Sequence, residues 1–150
     1  ELVGGSVGNL SFRIPAGDPD HLVKARYKMR RDTTWLSLMP HMHVRGVSFK
    51  YEAKYPDGTT EVLLDVPNYD FNWQLWYDFA KPKVLPKGTW VYCEAHYDNS
   101  EENIYNPDPS IDVTWGEQTW EEMMFGFYSQ IVPRRDLAQT GNVSDSAGGE

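Results

Sequence analysis

The stretch VSFKYEAKYPDGTTEVLLDVPNY, residues 47–69, decides how the rest of the chain is read. Apolar side chains fall at Val47, Phe49, Tyr51, Ala53 and Tyr55, with Ser, Lys and Glu between them. That period-two alternation belongs to a strand with one buried face. Asp57-Gly58 then supplies a turn, and a second strand-like run starts at Thr60. The segment reads as an antiparallel hairpin.

Working outward, runs of the same character recur at LSFRI (10–14), LVKARYKMR (22–30), TTWLSLMPHMHVRG (33–46), WQLWYDFAKPKVL (73–85), TWVYCEAHYDN (89–99), VTWG (113–116) and EMMFGFYSQIV (122–132). Turn signals about 8–12 residues apart separate them, the pattern of an all-β protein. LPKGTWV closes one strand before the next, and NSEENIYNPDPS reads as a loop. TWEEMMFGFY has some helical propensity, but its length and internal Gly126 favour a strand. The expected fold is an antiparallel β-sandwich, jelly-roll-like, of about eight or nine strands. Residues 1–9 and 134–150 are small, polar and Gly/Ser-rich and read as a linker and a flexible tail around a domain at 10–133.

Composition narrows the partners. The 150 residues suit one domain with a real core, and 14 Lys and Arg against 22 Asp and Glu give a net charge of −8. No basic stripe invites nucleic acid or an anionic membrane, and no apolar run is long enough to span one. There is no signal-like segment at residue 1, and the opening ELVGG without Met reads as a mature or excised piece. Cys93 is the single cysteine, which excludes an intrachain disulfide and reads as a small buried hydrophobe. Asn9 and Asn142 sit in glycosylation-type triplets, which are common by chance.

Within LMPHMHVRG (38–46), two of the chain's four histidines stand one residue apart. On a strand, His41 and His43 would leave one face roughly 6–7 Å apart at Cα, close enough to converge on one metal ion. In a helix they would diverge. Met39, His41, His43 and Arg45 share a parity, Pro40 suggests an edge or bulge, and Gly46 leaves room for another segment. Two imidazoles with a thioether select copper, above all Cu(I); two imidazoles with a carboxylate point to zinc or iron. Met123 and Met124, preceded by Glu121 and Glu122, offer both options, and spacing does not choose between them.

HMHVRG followed by QTWEEMM resembles the C-terminal half of the copper type II, ascorbate-dependent monooxygenases, the peptidylglycine α-hydroxylating and dopamine β-monooxygenase family. IPAGDPDH, LSLMPHMH, YPDG, VPNYDFNWQ, LPKGT, YDNS, NPDP and WGEQTWEEMM are similar, in the same order over about residues 10–130, to a bacterial, planctomycete-type version of that domain. The resemblance implies a copper ligand set of His41, His43 and Met123, one copper per chain, and oxygen activation for C–H hydroxylation. It also implies an external reductant such as ascorbate, a small-molecule or polymeric substrate, an adjacent N-terminal domain and a secreted or periplasmic location. The chain departs from the family in three ways. The domain with the second, three-histidine copper is absent, and His21 and His96 cannot rebuild its site. The family's disulfides have no counterpart. Met39, Phe125 and Phe127 replace the polar residues that read a glycine-extended peptide, which makes that substrate an unsuitable one.

Two other readings use the same residues: a non-catalytic copper-binding or electron-transfer module, and a β-sandwich interaction or carbohydrate-binding module with a relic metal site. For the last, Tyr69, Phe71, Trp73 and Trp76 could stack on a sugar, although such runs more often form core. The acidic loop 98–109 could hold Ca2+ but follows no calcium-loop spacing and reads as solvated. His96 reads as hydrogen-bonded rather than as a fourth ligand.

Overall fold

The computed structural model describes residues 1–132. It is built from β1 (Leu2–Gly8), β2 (Arg13–Ile14), β3 (His21–Lys28), β4 (Thr33–His41), β5 (Gly46–Lys54), β6 (Thr60–Val66), β7 (Tyr77–Leu85), β8 (Trp90–Tyr97), β9 (Val113–Thr114) and β10 (Phe125–Ile131), with no helix among the described residues. Two four-stranded sheets, β1-β10-β4-β7 and β3-β8-β5-β6, pack face to face, and β2 pairs with β9 beside them. Every strand pairing is antiparallel, so the expected all-β sandwich is the fold. The hairpin of 47–69 is β5 and β6, closed by Tyr55 and Thr59 backbone bonds and by Asp57, whose carboxylate accepts from Thr59.

Between the sheets, Trp35, Leu38 and Tyr128 meet Phe49, Tyr51, Ala53, Val91, Cys93 and Ala95 in one core. Trp35 and Tyr128 stack at 4.0 Å between ring centroids. Gly126 faces this core where a Cβ would stand 2.6 Å from the Tyr51 ring and 2.8 Å from Cys93 Sγ. Its bare backbone lets Tyr51 reach across and donate to the Phe127 carbonyl at 3.1 Å. Cys93 is free and fully buried, and burial pushes its thiol pKa well up, as expected of a structural cysteine.

The expected linker at 1–9 is instead strand β1, hydrogen-bonded along its length to β10. Its glycines are the reason both for the misreading and for the pairing. A Cβ at Gly5 or Gly8 would lie 2.4 Å from the rings of Tyr128 and Phe125, which pack across the strand. Small residues that look like linker composition are here what lets two aromatics lie on an edge strand. LSFRI shrinks to the two-residue β2, and WQLWYDFAKPKVL becomes strand only from Tyr77. The expected tail at 134–150 lies outside the described residues.

Register decides where the loops gather. His41 pairs with Phe125, Leu38 with Tyr77, Gly46 with Tyr97, Phe49 with Val66, and Gly8 with Phe125. The connections 42–45, 67–76, 98–112 and 115–124 therefore emerge at one end of the sandwich, with the H-x-H segment among them.

Candidate metal centre

β4 ends at His41, so His43 is not on the strand, as the expectation had it, but in the turn that carries the chain from one sheet to the other. The cause is a change of hydrogen-bond partners. Tyr69 donates its hydroxyl to the Met42 carbonyl (2.7 Å) and accepts from the Met42 N–H (3.0 Å). Glu122 takes the next donors, one carboxylate oxygen from His43 N–H (2.8 Å) and the other from Arg45 N–H (2.7 Å). Side chains thus satisfy the backbone groups that a ladder would have paired. Pro40 fits the same picture, because the β4–β7 ladder stops at Leu38 and leaves Pro40 paired on the β10 side alone.

The two imidazoles still meet. Their ring centroids are 5.3 Å apart, edge to face. His41 Nδ1 lies 2.6 Å from Gln74 Oε1. The orientation of that amide is fixed, since its nitrogen donates to the Phe71 carbonyl at 2.8 Å. His41 Nδ1 must therefore be the donor. His43 Nδ1 lies 3.1 Å from the Glu121 carbonyl, which can only accept. Each neutral ring carries its proton on Nδ1 and presents the Nε2 lone pair, the state in which imidazole ligates a metal. His43 is 4 % exposed, and burial lowers its pKa against the pull of the Glu121 carbonyl, which favours the neutral ring. Phe71 meets the His43 ring and Phe127 the His41 ring, each at 6.0 Å between centroids, so the pair stands in largely apolar surroundings.

Both carboxylates of QTWEEMM have backbone partners, Glu122 through both oxygens and Glu121 through one. Glu122 is fully buried in its cradle of backbone N–H groups, and burial pushes it up to about 7 against the pull of those donors and of Arg45. Glu121 folds back to accept from Gln118 N–H at 3.0 Å. Among the described residues, no three His, Cys, Asp or Glu side chains are placed to share a metal ion. Met123 is half-buried just before β10, and its carbonyl accepts from the Tyr97 hydroxyl at 2.6 Å. Burial alternates without a break from Glu122 to Tyr128, so Met123 shares the face of Phe125 and Phe127 and hence of His41. Met124 has the other parity and lies wholly in the core. Two imidazoles joined by a thioether would fit copper, whereas two joined by a carboxylate would suit zinc or iron.

The remaining expectations resolve locally. His96 pairs with Asp20 at 2.6 Å and His21 with Asp18 at 2.9 Å, neither with the His41–His43 segment. In the acidic loop, Asp98 and Asp108 accept from Ser100 and Ser110 N–H groups. Asn99 is a buried hub that accepts from Arg45 and Asn106 and donates to two carbonyls. These oxygens serve turns rather than converging on a cation. Sequence reading missed Tyr69, Gln74 and the cradling role of Glu122. Tyr69 belongs to the run flagged for its aromatics, and nothing in that run's spacing ties it or Gln74 to residues 41–43.

No protein-family model matches the chain, and no curated protein does. Among solved structures, it is similar to that of the infectious bursal disease virus Gx strain at 10% identity and a TM-score of 0.38, covering 93% of this chain and 44% of that one. It is similar also to the VP2 subviral particle of infectious bursal disease virus, at 11% identity and a TM-score of 0.34, covering 86% and 31%. The chain spans less than half the length of those viral chains. At such TM-scores the likeness has no bearing on function.

Proposed function

We propose that this chain is a mononuclear copper domain of the copper type II, ascorbate-dependent monooxygenase type, holding one copper ion through His41, His43 and Met123. The observation that carries the reading is the anchoring of both Nδ1 atoms, His41 to Gln74 and His43 to Glu121, which leaves two Nε2 lone pairs on rings 5.3 Å apart. The commitment of both Glu122 oxygens to backbone N–H groups supports a thioether over that carboxylate as third donor. When bound, copper would supply oxygen activation for C–H hydroxylation, with electrons from an external reductant such as ascorbate. The chain's own part is positional. Gln74 and Glu121 hold the ring tautomers, Glu122 and Tyr69 fix the backbone between the rings, and Phe71 and Phe127 limit water. An adjacent N-terminal domain and a secreted or periplasmic home belong to the same proposal.

The test is a Cu(I) competition titration of the purified chain, followed by ascorbate-driven oxygen consumption. One Cu(I) per chain, lost in both His41→Ala and His43→Ala, supports the site. Stoichiometric binding that survives either substitution overturns it. Oxygen uptake above that of free copper separates a catalytic domain from an electron-transfer module.

A further inference from the structure

The connection 67–76, which grips the H-x-H segment through Tyr69, Phe71 and Gln74, also walls two cavities. One of about 350 Å3 lies between Asn68, Asp70, Phe71, Asn72, Val44 and Tyr105. A second of about 160 Å3 shares Asn68, Tyr69 and Asp70 and opens toward Pro40, Trp73 and Gln74. We propose that this cleft binds a neutral saccharide chain.

Three observations select that chemistry. First, neither cavity is lined by a lysine or arginine, and Asp70 contributes a negative charge to both. Phosphate, sulfate and uronate ligands would meet repulsion with no compensating cation. Second, polar groups here are uncommitted. Among the described residues, the carboxamides of Asn68 and Asn72 make no hydrogen bond, and Asp70 uses one carboxylate oxygen for the Asn72 N–H. A purely apolar ligand would cover these groups without pairing them, which disfavours it. Third, large aromatic faces stand bare on the cavity walls, with Trp73 67 % and Tyr105 66 % exposed.

A pyranose matches all three features. It carries no charge, its C–H faces stack on aromatic rings, and its rim of hydroxyls both donates to and accepts from carboxamide and carboxylate groups. Trp73 and Tyr105 belong to different cavities, so a chain of sugar units uses more of this surface than a single ring does. Binding needs only the protein. Its role as substrate capture beside His41 and His43 rests on the copper reading above.

The experiment uses the full chain treated with EDTA, with tryptophan fluorescence and calorimetry against cellohexaose, xylohexaose, mannohexaose and chitohexaose. Hexagalacturonate and choline serve as the anionic and cationic comparators. The expected result is binding of at least one neutral hexasaccharide, weakened about tenfold or more in Trp73→Ala and in Asn72→Ala. Both residues are exposed, so the unfolding midpoint of each variant stays near that of the parent. No binding of any neutral hexasaccharide at millimolar concentration overturns the proposal. So does preference for choline or hexagalacturonate, or binding that ignores both substitutions. Because copper is absent from the assay, a negative result leaves the metal reading standing, and a failed copper titration leaves this one standing.

Discussion

Gln74 reaches His41 across 33 residues of sequence, and the contact does one thing: it holds the proton on Nδ1. Replacing it with alanine removes that anchor without opening the core, because the side chain lies at the margin of the fold. Gln74→Ala is expected to weaken copper binding about 10–100-fold with little loss of stability, read by Cu(I) competition beside thermal unfolding. A variant that binds copper as tightly as the parent would make the contact incidental. Glu122 acts on the backbone instead. Glu122→Ala strands two buried N–H groups and removes one of the two carboxylates, with Asp108, that offset burial of the Arg45 guanidinium, at a cost of roughly 3–5 kcal/mol by chemical denaturation. A loss below about 1 kcal/mol would mean that the cradle contributes little. The H-x-H pair stands out as a local string, whereas Met123 was singled out only by the resemblance, since spacing does not choose among Glu121, Glu122, Met123 and Met124. Gln74, Tyr69 and the use of Glu122 were not legible, because each becomes a partner of residues 41–45 only when two sheets bring separate connections to one end.

Strands were legible where the two faces differ in polarity, as in β5, whose alternate residues Phe49, Tyr51 and Ala53 are buried. They were illegible where packing is done by the absence of side chains. β1 has too little apolar surface to announce itself, yet its glycines admit the rings of Tyr128 and Phe125. H-x-H was expected to continue as strand because pattern alone cannot show that Glu122 and Tyr69 outcompete the ladder. Gly126 gives the sharpest test at this scale. A methyl group there collides with Tyr51 and Cys93 from the facing sheet, and neither can retreat in a filled core. Gly126→Ala is expected to cost about 1–3 kcal/mol and to weaken the Tyr51–Phe127 bond that ties the sheets. An unchanged denaturation midpoint would contradict the close approach.

Across the whole molecule, the acidic balance of 22 carboxylates against 14 cations is not uniformly solvated. Glu94 is held below the usual carboxylate range by Lys24 and then Lys50, Glu61 by Lys83 and then Tyr55, and Asp18 by the Asp20 N–H and then His21. Carboxylates depressed in the folded state stabilise it above their unfolded pKa of about 4 and lose that contribution as pH falls through the folded value. The unfolding midpoint should therefore drop between about pH 5 and pH 3, and the drop should be shallower in Glu94→Gln. A midpoint unchanged over that range would contradict these pairings. The sandwich gathers its connections around the H-x-H segment at one end, and the proposal of copper there, over zinc or iron, rests on the third ligand. X-ray absorption on the Cu(I)-loaded chain, compared with Met123→Ile, tests it most directly. The account predicts two imidazole scatterers and one sulfur in the parent, with the sulfur lost and Cu(I) weakened more than Cu(II) in the variant. A Cu(I) spectrum without sulfur, or one whose sulfur survives the substitution, would contradict it.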